Sequence, residues 1–316
     1  MVLQLFALAA LFFHPVIDGP DSNLLQDPVK IEKNFDQRMA WNWLTKQCDL
    51  GFRVPGTDAH LKCRDLILEE TKKNCDSAEL QPFGWLWSKT NKRVSMWNIL
   101  GYQNWENAKT RVVLLAHWDT RPSADEELKP ADRKKPILGA NDGASGVAVL
   151  LELMRHTKSV PKDLGICYLF VDGEDLGPGL EEMFLGAVHY SKHLKSPKPD
   201  YGILLDMVGK KDLVVPVEPN SLELARGLTL ALFRHAKEVG LAKTFPMEQG
   251  PTILDDHLSL NDVGIPTVDL IDFDYPQWHT LKDTPEYCSA DSLGKVGTLL
   301  ETWLMKSTVW KPTAKR

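Results

Sequence analysis

Five short segments of this 316-residue chain carry side chains able to bind a metal ion: His117-Trp118-Asp119, Asn141-Asp142-Gly143, Glu174-Asp175, Leu205-Asp206 and Trp278-His279. Each offers a histidine or a carboxylate, and none offers a cysteine, a donor set that suits zinc or a similar borderline cation. Singly they are weak. An H-x-D at a strand end is commonly a polar terminus, Asp142 before Gly143-Ala144-Ser145-Gly146 reads equally well as a helix N-cap, and Asp206 as a solvated turn residue. Together they say more, because each lies at or near the end of an apolar run that reads as a strand. Ligand sites in open α/β sheets assemble at strand ends.

The spacing assigns chemistry within the segments. His117 and Asp119 are two apart on a strand and point the same way, so Asp119 is placed to orient the imidazole or a neighbouring group. Glu174 and Asp175 follow directly from the apolar Phe170-Val171. Adjacent acids at a strand terminus can divide the labour, one binding an ion and the other working as general base beside it. No HExxH helix, P-loop or GxSxG elbow competes with this reading.

The elements that must position these residues follow from periodicity. Helical spacing runs from Ile31 to Leu50 with Gly51 as C-cap, and Thr57 caps a second helix to about Lys73. Ser95–Gly101 and Arg111–Ala116 read as strands joined by a turn at Asn104–Lys109. Beyond Ala140 the elements alternate: helix Gly146–His156, strand Gly165–Val171, helix Glu181–Leu194, strands Tyr201–Met207 and Leu213–Val217, helix Ser221–Val239, strand Pro266–Ile271 and helix Asp291–Met305. Continuous apolar strands such as Val112-Val113-Leu114-Leu115 belong to a sheet covered on both faces. The expected fold is therefore α/β: one domain with a mixed, mostly parallel central sheet and helices on both sides. The charge-rich stretch Thr120–Pro136, just after Asp119, is a candidate rim of the site.

Composition excludes other classes. Apolar content of 43%, charged content of 25% and a net charge of −6 are those of a globular protein without the basic face that nucleic acid requires. Met1–Phe13 is too short an apolar run to span a bilayer. It reads as the core of a secretory signal within residues 1–25, placing the catalytic domain, residues 26–316, outside the cytoplasm as a secreted or periplasmic protein. No Lys or Arg precedes the run and no small-x-small site follows, so a buried N-terminal segment of a cytoplasmic protein is the alternative. Among the five cysteines, one disulfide between two of Cys48, Cys63 and Cys75 is an expectation, and Cys167 reads as a small core residue.

Leu114–Asp119, Gly139–Gly146, Phe170–Asp175, Leu204–Gly209 and Trp278–Asp283 resemble, in order and spacing, the motifs of the zinc aminopeptidase superfamily. Within it the chain most resembles the glutaminyl-peptide cyclotransferases, through Leu254-Asp255-Asp256-His257 and Trp278-His279-Thr280. The resemblance covers about residues 31–306. It implies that Asp142, Asp175 and His279 hold one catalytic zinc, that Glu174 is the acid/base, and that Asp206 and Asp255 complete a hydrogen-bond network. It puts Trp278 on the wall of the substrate pocket, with Trp118 and Asp256 beside it. The substrates would be peptides or proteins with N-terminal glutamine, acted on by a monomer. Three features depart from the animal cyclases and look more bacterial: Asp175 stands where they have Glu, Ala116 where many have Cys, and Leu176–Leu180 lacks the expected pocket Trp.

The rival within the superfamily is a dinuclear zinc aminopeptidase, with His117 and Asp206 on a second ion and Asp142 bridging. A metal-stabilised, non-catalytic ectodomain would dispense with the general base, and Glu174 is present.

Overall fold

The computed structural model describes residues 34–157 and 160–306. Eight α-helices and six strands are found among them, besides short 3-10 turns. In chain order they are α1 (Gln37–Asp49), α2 (Asp58–Asn74), β1 (Ser77–Trp87), β2 (Lys92–Gln103), β3 (Thr110–His117), α3 (Ala144–Leu153), β4 (Leu164–Val171), α4 (Leu185–Lys192), β5 (Tyr201–Asp206), α5 (Pro219–Leu224), α6 (Arg226–Glu238), α7 (Asp256–Asp262), β6 (Thr267–Ile271) and α8 (Ala290–Leu304). Met1–Phe13, with the rest of residues 1–25, lies outside the described residues. So does Ile31, the expected start of the first helix.

The strands form one sheet in the order β1-β2-β4-β3-β5-β6. β1, β2 and β4 pair antiparallel, whereas β4, β3, β5 and β6 run parallel. Alternation along the central strands builds two cores. Val112, Leu114 and Ala116 of β3 join Ile166, Tyr168 and Phe170 of β4 beneath α1, α3 and α8. Val113 and Leu115 join Cys167, Leu169 and Val171 on the opposite face, with Ala187 of α4 and Leu260 of α7. Both faces are buried, which is why Val112–Ala116 of β3 and all of β4 are apolar without interruption. This is the single α/β domain that the strand pattern predicts.

Local chemistry sets the helix ends. Asp36 accepts the Arg38 and Met39 N–H groups at the start of α1, and Thr57 accepts the His60 N–H at the start of α2. Gly51, with φ of 94°, closes α1 in the left-handed region.

Several expectations fail for identifiable reasons. Leu213–Val217 is no strand: Val215 and Val217 are buried, but their N–H groups go to loop carbonyls of Thr244 and Glu248. The helix expected over Ser221–Val239 breaks at Ala225 into α5 and α6. That over Glu181–Leu194 shrinks to a short 3-10 turn and α4, because Phe184 takes a left-handed φ of 59°. The edge strand β1 and the short α7 were not anticipated. The expected disulfide is absent, since any pair among Cys48, Cys63 and Cys75 needs Cys48 or Cys63, and both of these are buried free thiols.

Candidate metal centre

The four parallel strands deliver the site at their C-terminal ends. His117 is the last residue of β3 and Asp206 the last of β5, while Glu174 and Asp175 follow β4. Asp142 lies in the loop entering α3, and His279 in the loop after β6, with a left-handed φ of 52°. That region is sparsely used by non-glycine residues and concentrates at functional positions.

The Asp142 loop is tightly built. Asp283 accepts the N–H groups of Asn141 and Asp142 at 2.8 and 3.1 Å and the Tyr275 hydroxyl at 2.8 Å. Gly143 has a φ of 97°, and a Cβ on Gly146 would collide with the Leu205 carbonyl oxygen. Gly146 therefore lets α3 seat directly on the end of β5. The alternative reading of Asp142 as an N-cap fails: Gly143 holds the cap position and no side chain caps α3. The Asp142 carboxylate turns into the cluster instead.

There it stands between two histidines. His117 Nε2 is 3.1 Å from Asp142 Oδ1 and 3.2 Å from Asp206 Oδ1. His279 Nε2 is 3.5 Å from Asp142 Oδ2 and 3.4 Å from Asp175 Oδ1. Two ligand triads result, sharing Asp142: His117, Asp142 and Asp206 in one, Asp142, Asp175 and His279 in the other, with the ligand atoms of each within 4.8 Å of one another. Asp142 Oδ2 and Asp175 Oδ2 are buried without any hydrogen-bond donor. Buried carboxylate oxygens are costly in that state unless they meet a cation. Carboxylate and imidazole donors at this spacing fit zinc.

Charges in the cluster are strongly perturbed. Burial pushes the Glu174 carboxyl well above its ordinary range, with the charges of Asp175, Asp255 and Asp256 adding to the shift and His117 opposing it. Burial, reinforced by Asp175, also raises Asp142. For Asp175 burial works upward as well, but His279 and Arg121 outweigh it and hold the group below its usual value. His279 is raised to about 9, because Asp175, Asp125 and Asp142 overcome the effect of burial.

Other expected residues fall in different places. Asp119 does not hold the His117 ring, whose Nδ1 is 3.7 Å away; it accepts the N–H groups of Glu174 and Asp175, both at 3.2 Å. Trp118 belongs to the core and not to a pocket wall: it is fully buried, stacked on His60 at 4.3 Å. Asp256 is likewise buried, at the start of α7. Asp255 caps that helix and accepts the Asp256 N–H at 2.6 Å. Trp278 does face a cavity, with its ring stacked on His279 at 3.8 Å. The cavity, about 370 Å³, is lined by Met183, Phe184, Ile253, Leu254, Phe273 and Trp278 on its apolar side.

Arg121, Asp125 and Asp283 escaped the sequence reading. Arg121 donates to Asp175 Oδ1 at 2.8 Å and to both oxygens of Asp125. The only signal for them was their place in the charged stretch after Asp119 and in the segment following His279.

Comparison with known proteins agrees with this geometry. The model of peptidase family M28 matches residues 98–304. The solved Bacteroides thetaiotaomicron glutaminyl cyclase bound to N-acetylhistamine is 34% identical, superposes with a TM-score of 0.82, and is matched over 87% of this chain and 99% of its own. A solved zinc-dependent exopeptidase from Parabacteroides distasonis (31% identical, TM-score 0.82) and a solved leucine aminopeptidase precursor from Bacteroides thetaiotaomicron (34% identical, TM-score 0.81) match to a comparable extent, each over 98% of its own chain. The Bos taurus glutaminyl-peptide cyclotransferase is 25% identical over 80% of this chain and 78% of its own length. The Bacillus subtilis aminopeptidase YwaD is 29% identical over 64% of this chain, and the match spans only 43% of that aminopeptidase. With the M28 model running from β2 through α8 and the carboxylate–histidine cluster inside the matched region, the chain belongs to peptidase family M28 as a zinc-dependent enzyme.

Proposed function

We propose that this protein is a glutaminyl-peptide cyclotransferase working with one zinc ion, converting N-terminal glutamine to pyroglutamate with loss of ammonia. The observation that carries the reading is the likeness to a bacterial glutaminyl cyclase across 99% of that chain at 34% identity. It is supported by an apolar cavity that ends on His279 and Trp278. Asp142, Asp175 and His279 would hold the zinc, which supplies a Lewis acid for the side-chain amide carbonyl.

The residues of the chain do the rest. A free α-amine has a pKa of roughly 7.7–8.0 and attacks only when neutral. Glu174 accepts its proton as the amine nitrogen bonds to the side-chain amide carbon, and returns that proton to the departing nitrogen. One C–N bond forms, one breaks, and ammonia leaves. Ring closure is intramolecular, so the cavity contributes by holding the glutamine folded and excluding water. The apolar walls at Leu254, Phe273 and Trp278 suit that task.

A dinuclear aminopeptidase is the second reading, favoured by the ligand triad of His117, Asp142 and Asp206 and by a comparable likeness to a solved leucine aminopeptidase precursor. Among the described residues no helix is long and apolar enough to cross a membrane. We place the enzyme outside the cytoplasm on the strength of the Met1–Phe13 run. The function is tested by ammonia release from a glutaminyl peptide and from the same peptide with its α-amine acetylated. The reading expects ammonia only from the free amine; none from either substrate overturns it.

A further inference from the structure

The two histidines of the centre are held in different ways. His279 Nδ1 lies 3.2 Å from Asp125 Oδ1, an ion-pair contact, while its Nε2 faces Asp142 and Asp175. Asp125 is itself gripped by Arg121, whose Nε and Nη2 donate to it at 2.7 to 3.0 Å. Arg121 Nη1 then donates to Asp175 Oδ1 at 2.8 Å, leaving Asp175 Oδ2 without a donor. Arg121, Asp125, His279 and Asp175 thus close a ring, and Arg121 is only 6% exposed.

His117 has no such support. Its Nδ1 is buried without a hydrogen-bond partner, and the nearest carboxylate oxygens, on Asp119 and Glu174, stand 3.7 Å away. Asp119 is committed to the backbone of Glu174 and Asp175.

A carboxylate on the far nitrogen of a metal-binding imidazole fixes its tautomer and raises the basicity of the ligating nitrogen, and losing such a partner typically costs 10–100-fold in metal affinity. We infer that Arg121 and Asp125 are positioning residues that give the Asp142–Asp175–His279 half of the cluster the tighter hold on zinc. Arg121 contributes by holding Asp125 beside His279 and by occupying Asp175 Oδ1, which leaves Oδ2 without a donor. The inference rests on the reading of Asp142, Asp175 and His279 as zinc ligands, and not on which reaction they serve.

The test is zinc affinity, measured by competition with a chromophoric chelator, on the full chain and on the Asp125→Ala, Asp125→Asn, Arg121→Ala and His117→Ala variants. Circular dichroism confirms that each variant is folded. Asp125→Ala and Arg121→Ala should weaken zinc binding by about 10–100-fold. Asp125→Asn should recover much of the loss, because an amide oxygen still accepts the Nδ1 proton. His117→Ala should keep the first zinc at the native affinity. Native affinity in folded Asp125→Ala overturns the inference, as does an equal loss in the Ala and Asn variants or the loss of the first zinc in His117→Ala. Conversion of a glutaminyl peptide by the unmodified chain is scored separately, so failure here leaves the proposed reaction standing.

Discussion

Asp119 accepts the backbone N–H groups of Glu174 and Asp175, one on each carboxylate oxygen, both at 3.2 Å. One buried side chain from the end of β3 thereby fixes the backbone that presents both the proposed base and a proposed zinc ligand. Removing it strands two buried donors, each at a cost of about 1–3 kcal/mol. Asp119→Ala should lower the melting temperature by several degrees and cut kcat about tenfold or more, an effect typical of lost support around a metal site. Asp119→Asn retains one acceptor and should recover part of both. An unchanged kcat in Asp119→Ala would refute the positioning role.

Glu174→Gln tests proton transfer. The amide fills the same space but accepts no proton, so zinc per chain should be unchanged while kcat falls by about 10²–10⁴-fold, the usual contribution of a positioned base. Metal analysis beside the turnover assay checks both halves. Full activity in this variant would remove Glu174 from the mechanism.

The pH dependence follows from the same carboxyl. Burial and neighbouring acids raise the Glu174 pKa, and only the ionised form accepts a proton. The value of kcat/KM should therefore rise with pH through a limb displaced above the ordinary glutamate range. The component of that limb due to Glu174 should vanish from the residual rate of Glu174→Gln, leaving the component set by the substrate's own α-amine. A profile flat down to the normal carboxylate range would contradict the assignment.

A second pH effect concerns stability. Burial chiefly raises Asp256 to about 8. A carboxyl whose folded pKa lies above its unfolded value favours the folded state while protonated, and that contribution disappears as pH rises through the folded pKa. The metal-free protein should melt at a lower temperature at pH 9 than at pH 6, and Asp256→Asn should flatten the decline. Thermal denaturation across that range is the check. A metal-free protein that gains stability between those pH values would reverse the sign argued here.

Trp278 packs on His279 at 3.8 Å and on Phe273 at 4.9 Å, at the wall of the cavity. Trp278→Ala should raise KM for peptide more than it lowers kcat, because the ring packs the substrate's surroundings and takes no proton. Steady-state kinetics over a peptide series would show this. A loss confined to kcat would place the ring in the chemical step.

Much of this was legible in the chain because burial on both sheet faces leaves a plain mark. Val112–Ala116 and Ile166–Phe170 are apolar without interruption, so β3 and β4 declared themselves, and the residues at their ends followed. β1 did not, since it is a half-exposed edge strand broken by Pro82 and Gly84. Leu213–Val217 misled for the converse reason: its side chains are buried while its backbone pairs with loops, and apolarity alone does not distinguish the two. His117, Asp142, Glu174, Asp175, Asp206 and His279 do gather in one cluster. The supports that hold them could not be read, because a bond such as Arg121 to Asp175 joins residues 54 apart and leaves no local period.

The central claim is most directly tested by mass spectrometry of two peptides that differ only in an N-terminal Gln or Leu, each incubated with zinc-loaded protein. The account predicts that the Gln peptide loses one ammonia and keeps every residue while the Leu peptide is untouched. Release of free leucine, with the Gln peptide uncyclised, would contradict it and make the enzyme a peptidase.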